Sequence, residues 1–276
     1  MATRAPDTGT PTETPPPARP RVTALWRVGG SLAAVGLLGM GTVQAVAQLA
    51  HEEETIVRRL DGADVRTVDI DNGAGSVRVV GTPGDEVTIR ARVSHGLRST
   101  GHDERLEGDR LVLDASCPLF ASNFCSVSYT VEVPQGVSVR IHAEASIRVA
   151  DIAGDVVADT SNGRIQADRI GGDVRLDSAN GRVVGTDLES ATAHAASDNG
   201  AVELEFLEPP RTVVADSDNG SVEVVLPDTP DDYILDTSSD NGTVSDSQIR
   251  RDPDSERTVT ASSDNGDVTV RYAPRR

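Results

Sequence analysis

Ser-Asp-Asn-Gly occurs four times in this chain, at 197–200, 217–220, 239–242 and 263–266, after Thr-Ser-Asn-Gly at 160–163 and Ser-Ala-Asn-Gly at 178–181. No other feature so narrows what the chain can fold into. Aligned on Asn162, Asn180, Asn199, Asn219, Asn241 and Asn265, the units grow in spacing from 18 to 24 residues. Each Asn is followed by glycine: Gly163, Gly181, Gly200, Gly220, Gly242 and Gly266. Two positions before it stands a small hydroxyl: Thr160, Ser178, Ser197, Ser217, Ser239 or Ser263. Four and six positions before it, and three after, the residues are small or apolar, as in Val213, Ala215 and Val222 around Asn219.

This is a period of two broken once at each Asn-Gly. One face of every strand then carries an apolar residue, a small one, a hydroxyl and the Asn, and the other face carries mostly charged residues. Repetition at about 20 residues marks units that bury their faces only against neighbours. A β-solenoid follows as the expected fold. Each coil supplies strands, glycine supplies a corner with positive φ, and Ser and Asn side chains stack coil on coil. Ser217 and Ser239 are then expected to occupy the same position in successive coils. A meander or sandwich of antiparallel hairpins also accommodates Asn-Gly, which is a strong two-residue turn signal. The hydroxyl recurring before every turn favours the solenoid.

Upstream of the repeats, alternation continues through "VRTVDIDNGAGSVRVVG", "DEVTIRARV" and "SYTVEVPQGVSVRIHA", with no helical period of useful length after residue 65. With aromatics at 3%, the core must come from Val, Ile, Leu and Ala, which suits thin layered β structure. The domain expectation is a disordered Pro/Thr-rich cytoplasmic tail at 1–27, a helix at 28–50, a linker at 51–65 and a β-strand-repeat domain at 66–276.

Residues 28–50 carry no charge. At about 1.5 Å per residue they would span roughly 34 Å, enough for one membrane crossing. Arg4, Arg19, Arg21 and Arg27 precede this segment and Glu52-Glu53-Glu54 follow it, which places the C-terminal domain outside the cell by the positive-inside rule. Cleavage near Ala47 is the alternative, since Ala45-Val46-Ala47 has the form of a signal-peptidase site.

Net charge is −18, and beyond residue 51 the chain carries 42 acids against 22 arginines, with no lysine anywhere. Such a balance argues against a nucleic-acid partner. Cys117 and Cys125, the two cysteines, enclose CPLFASNFC and are expected to form a disulfide in an oxidising exterior. The enclosed Leu119, Phe120 and Phe124 are candidates for a partner contact or for a cap on the open end of the stack.

At "VSYTVEVPQGVSVRIHAEASIRVADIAGDVVADTSNGRIQADRIGGDVRLDSANGRV" (127–183) the chain resembles a bacterial family of β-strand-repeat domains of unknown function, often labelled "putative adhesins". The shared features are a strand closing in Val133-Pro134, a following alternating strand, and repeated small-x-Gly-x-[Ile/Val] units. They extend over about 66–276. The resemblance implies an extracytoplasmic β-helix tethered by one N-terminal helix, with no catalytic residues to carry over. Ala145 departs from the pattern, standing where the first repeat glycine belongs.

The Ser-Asp-Asn of β-lactamases works beside catalytic lysines, which this chain lacks. Asp69-Ile-Asp71-Asn-Gly and Asp216-Ser-Asp218-Asn-Gly begin like calcium loops but do not reach the distal Glu of an EF-hand. The five histidines are scattered without zinc spacing. The functional expectation is a non-enzymatic, cofactor-free, membrane-anchored adhesin or envelope scaffold with an envelope or surface ligand. The alternative is the ectodomain of an envelope sensor.

Overall fold

The computed structural model describes residues 52–95, 101–117 and 125–274. The expected tail and membrane helix, and Leu119, Phe120 and Phe124, lie outside these residues. Among the described residues every regular element is a strand.

The described chain opens with β1 (Glu52–Asp61), β2 (Thr67–Asn72), β3 (Val77–Thr82) and β4 (Glu86–His95). A hairpin of β5 (Gly101–Glu107) and β6 (Arg110–Ser116) follows, then β7 (Ser126–Pro134). Each later coil is a pair of short strands: β8 (Ser138–Ala143) with β9 (Ile147–Ile152), β10 (Val156–Thr160) with β11 (Ile165–Ile170), and β12 (Val174–Ser178) with β13 (Val183–Leu188). Next come β14 (Thr192–Ser197) with β15 (Val202–Phe206), and β16 (Thr212–Ser217) with β17 (Val222–Leu226). Last are β18 (Ile234–Ser239) with β19 (Val244–Ser245), and β20 (Thr258–Ser263) with β21 (Val268–Tyr272).

One strand of each pair joins an 11-stranded sheet, here sheet I, in the order β1-β4-β7-β3-β9-β11-β13-β15-β17-β21-β19. The other joins a 10-stranded sheet II, in the order β18-β20-β16-β14-β12-β10-β8-β2-β6-β5. Pairing between coils is parallel and in register, as in Val156 beside both Val139 and Val174. The fold is a two-sheet β-solenoid, and the meander is excluded because an Asn-Gly hairpin would make its flanking strands antiparallel neighbours in one sheet. Among the described residues antiparallel pairs occur only in the N-terminal part, between β1 and β4, β4 and β7, and β5 and β6. The segment expected to be a linker holds β1, which closes the edge of sheet I.

The core is a thin slab between the sheets. Val156, Ala158 and Thr160 on β10 meet Ile165 and Ala167 on β11, all nearly inaccessible, and the same pattern repeats in each central coil. A fully buried Val, Leu or Ile contributes about 1.5–3 kcal/mol relative to exposure. The slab is therefore held mainly by many small rungs, with Tyr129, Phe206 and Tyr233 as its few large buried side chains. Bulk is exchanged within it: a Cβ on Gly185 would lie 2.9 Å from the Leu188 and Leu204 methyls, so glycine there makes room for two leucines.

Coils do not stack throughout in chain order. β20 pairs with both β16 and β18, and β21 with both β17 and β19, so the last coil inserts between its two predecessors. Near the N-terminus β6 and β7 stack outside β2 and β3, while β8 and β9 return to their inner side. Ser217 therefore neighbours Ser263, and Ser263 neighbours Ser239. The expected adjacency of Ser217 and Ser239 is wrong by one coil. The reason is physical: the inner face of β20 (Val259, Ala261) is buried, whereas the equivalent β18 positions, Leu235 and Thr237, are only half buried. The less apolar coil forms the end.

Both edges carry features that discourage further strand pairing. At the N-terminal end Arg58 on β1 donates to the Glu104 carboxylate on β5 at 3.0 Å, tying the edge strands of the two sheets together; the Glu104 side chain is only 6% exposed. At the other end β19 is two residues long.

Neighbouring strands lie about 4.8 Å apart, within the Cα separation a disulfide tolerates. In a background with Cys117→Ser and Cys125→Ser, the pairs Ser217→Cys/Ser263→Cys and Ser239→Cys/Ser263→Cys are expected to crosslink on mild oxidation. Ser217→Cys/Ser239→Cys is expected to stay open. Peptide mass mapping reads the bridges, and closure of the third pair without the other two would restore chain-order stacking.

Candidate functional site

The Asn-Gly corners form two continuous hydrogen-bond ladders. Asn180 donates from Nδ2 to Oδ1 of Asn162 at 3.3 Å, and Asn199 donates in the same way to Asn180 at 3.1 Å. The ladder continues through Asn219, Asn265 and Asn241 at 3.1 Å per step. Each of these amides also reaches a backbone carbonyl of the preceding coil, as Asn219 does with Asp198 at 3.2 Å. Alongside, each hydroxyl donates to the corner carbonyl of the preceding coil, such as Ser217 to Gly200 and Ser263 to Gly220, both at 2.8 Å. Thr160 makes the same bond to Ala145, so the corner lacking a glycine keeps the acceptor. The hydroxyls are buried except that of Ser239, which is half buried, but the Asn side chains are exposed, so the Asn leaves the inward face expected for it.

The glycines are required by close approach and not by the positive φ expected of them. Among the described residues only Gly84 and Gly108 have positive φ among glycines. A Cβ on Gly200 would lie 2.3 Å from the Gly181 carbonyl oxygen, and one on Gly220 would lie 2.4 Å from that of Gly200. Positive φ appears instead at the opposite corner, in the stacked residues Asp151, Arg169 and Asp187. Each adds one residue to its strand and lets Ile152, Ile170 and Leu188 turn back into the core. Arg169 bridges to Asp151 through two hydrogen bonds of 2.7 and 3.1 Å and also pairs with Asp168. Its guanidinium holds the Asp151 carboxyl below its ordinary value.

With the inner face and both corners committed to stacking, the outer faces are the surface that the coils leave free of it. On sheet II the charges are largely paired: Arg110 with Asp69, Arg175 with Asp177 at 2.8 Å, and His142 Nδ1 with Asp159 at 2.7 Å. Asp198, Asp218, Asp264 and Asp240 occupy equivalent corner positions, yet no three His, Cys, Asp or Glu side chains among the described residues converge as a metal ion requires. The Asp69/Asp71 and Asp216/Asp218 pairs form no such group.

Sheet I differs. Its register sets Arg90, Thr130, Arg78, Arg148 and Gln166 side by side across β4, β7, β3, β9 and β11. A second row, two positions away, reads Arg92, Ser128, Ser76, Ser146, Arg164 and Arg182; it is fixed by the Ser76–Ser128 hydroxyl bond and by Ile147 and Ile165 bonding to the Arg164 and Arg182 carbonyls. Arg90 pairs with Glu132 at 2.5 Å and Arg182 with Glu203 at 3.2 Å. Arg148 donates to Gln166 at 2.9 Å. Among the described residues Arg78, Arg148 and Arg164 have no carboxylate partner, and all three are exposed. Past Gln166 the first row continues through Val184 and turns acidic at Glu203 and Glu223.

The sequence reading did not single out these arginines. The signal was present as Arg at outward positions of alternating strands, but their proximity depends on a strand order that departs from chain order. Cys117 and Cys125 form a disulfide with a Cα separation of 5.9 Å. A depression of about 640 Å³ is lined by Glu205, Phe206, Leu207, Pro227, Asp228, Ala273 and Pro274.

Among solved structures, the chain is similar to a "putative cell adhesion protein" from Clostridium sporogenes, at 11% identity over 81% of this chain and 100% of that one, with a TM-score of 0.40. It is also similar to "putative adhesins" from Bacteroides fragilis (14% identity, 80% and 97% coverage, TM-score 0.43) and Parabacteroides distasonis (12%, 80% and 97%, TM-score 0.44). No family model matches the sequence, and no curated protein matches it.

The corner geometry sets an order of substitution costs. Gly200→Ala is expected to destabilise by about 3 kcal/mol or more, because backbone must move. Asn219→Ala, mid-ladder, should lose about 1–2 kcal/mol, and Asn241→Ala at the ladder's end less. Gly136→Ala, where a Cβ meets nothing within 4 Å, is expected to be near neutral. Chemical denaturation of the four variants checks the order, and a Gly200→Ala protein as stable as the parent would remove the close-approach explanation.

Proposed function

We propose that this protein is a non-enzymatic display module: a rigid β-solenoid held at the cell surface by one N-terminal helix, serving adhesion or envelope scaffolding through its outer faces. The observation that carries the reading is the division of labour within each coil. Inward residues and corners are taken up by stacking, and the outward rows of sheet I present a flat, exposed array of arginine and hydroxyl groups. A flat array on a stiff slab suits contact with an extended surface better than enclosure and turnover of a small molecule. The uncharged segment 28–50, its arginine-rich N-terminal flank and the Cys117–Cys125 disulfide support an exported, tethered domain.

Protease shaving of intact cells tests the topology. Peptides from 52–276 are expected to be released while a tag on residue 1 stays protected. Protection of both ends would defeat the display reading. Beads coated with the full chain in detergent should also be retained by isolated cell envelopes without chemical change to them.

A further inference from the structure

We infer that the arginine and serine rows on the outside of sheet I form a binding platform for a linear polysaccharide bearing carboxylate groups, lying along the stack across β4 to β13. This deepens the display reading and rests on it only for access to an external polymer.

Three observations point to an anion. Arg78 and Arg148 are register partners on neighbouring parallel strands, and Arg164 lies beside Arg182. Like charges directly opposite one another destabilise a sheet, so the fold alone gives no reason for this arrangement. The rest of the molecule offers carboxylates in excess, yet Arg78, Arg148 and Arg164 meet none among the described residues. Guanidinium forks and hydroxyls together suit carboxylate oxygens and sugar hydroxyls.

Shape selects a polymer. The rows cross five strand steps, about 24 Å at roughly 4.8 Å each, and each step is comparable in length with one pyranose ring. There is no enclosed pocket along them, and a single exposed ion pair is weak, so affinity must come from many contacts on one chain. Two rows make a narrow strip. Carboxylates of Glu132 and Asp168 flank one side and Glu203 closes the far end, so a polyanion of single-chain width fits while a wide nucleic-acid duplex would meet repulsion. The strip also lacks an aromatic ring, so it gives unpaired bases no stacking platform.

The test uses the full chain in a neutral detergent, with polygalacturonate as the probe and its methyl ester as the uncharged counterpart, titrated at low and at physiological salt. Polygalacturonate is expected to bind with salt-sensitive affinity and the ester not to bind. Arg78→Gln/Arg148→Gln/Arg164→Gln should lower affinity by at least ~10-fold, since several charge-assisted contacts go at once. The charge-matched Arg110→Gln/Arg140→Gln/Arg175→Gln variant on sheet II should bind as the parent does. Should the first triple misfold by circular dichroism, the corresponding Arg→Lys triple keeps the charge but loses the forks, and a weaker but measurable affinity is expected. The inference is overturned by absence of binding at low salt, by equal losses in the two Gln triples, by equal binding of the ester, by tighter binding of duplex DNA, or by salt-sensitive self-association as the only event seen. Cell-surface location is read separately by protease shaving, so either result can fail alone.

Discussion

Successive coils meet backbone to backbone at the Asn-Gly corner, and that repeated contact governs the rest of the fold. A glycine without a Cβ brings each corner against the carbonyl of its neighbour, where the buried hydroxyl donates and the Asn amide joins the next rung. The approach fixes register, because slipping a coil by one residue would set a side chain against backbone and turn the apolar rows outward. Parallel pairing, thin core and flat faces all follow. Since every rung is equivalent, no single bond is decisive; stability is distributed along the stack as in other repeat proteins.

Much of this was legible in the residues. The Thr160/Ser178/Ser197 column and the apolar positions around it read directly as rungs, because identical chemistry at a fixed offset is what stacking demands. Two particulars misled. Asn-Gly is so strong a turn signal that positive φ was the natural expectation for its glycines, whereas close backbone approach also demands glycine and leaves the same letter in the sequence. The left-handed residues are Asp151, Arg169 and Asp187, whose side chains give little hint of it. Only the extra residue that each adds before Ile152, Ile170 and Leu188 marks the place.

Coil order was harder to read, because Ser217, Ser239 and Ser263 belong to near-identical units. Local pattern specifies a rung but not its height in the stack. What distinguishes the units is their apolar content: Thr237 in β18 stands where β20 carries Ala261 and β16 carries Ala215. Burying that hydroxyl between two coils would require a partner, and at the end of the stack Thr237 instead meets Asp246. The spacing gave a second trace, since stepping over one coil and back needs longer connections, and the last two intervals are the longest.

The same departure from chain order explains why the arginine rows are invisible in a linear reading. Arg78 and Arg148 stand 70 positions apart in sequence but on adjacent strands, with Ser128 and Thr130 reaching the same surface from β7. Stacking fixes what points inward and leaves the outward positions unconstrained by the ladder. On sheet II that freedom has set several opposite charges in pairs, as in Arg110 with Asp69 and Arg175 with Asp177. On sheet I it has set Arg78, Arg148 and Arg164 in rows of arginines without a carboxylate partner among the described residues, where a stack selected for stability alone would have interspersed the acids the chain holds in excess. That pattern runs against the pairing a stable sheet favours and recurs across several strands, so it is the outer face of sheet I, rather than the repeat motif, that the proposed platform draws on.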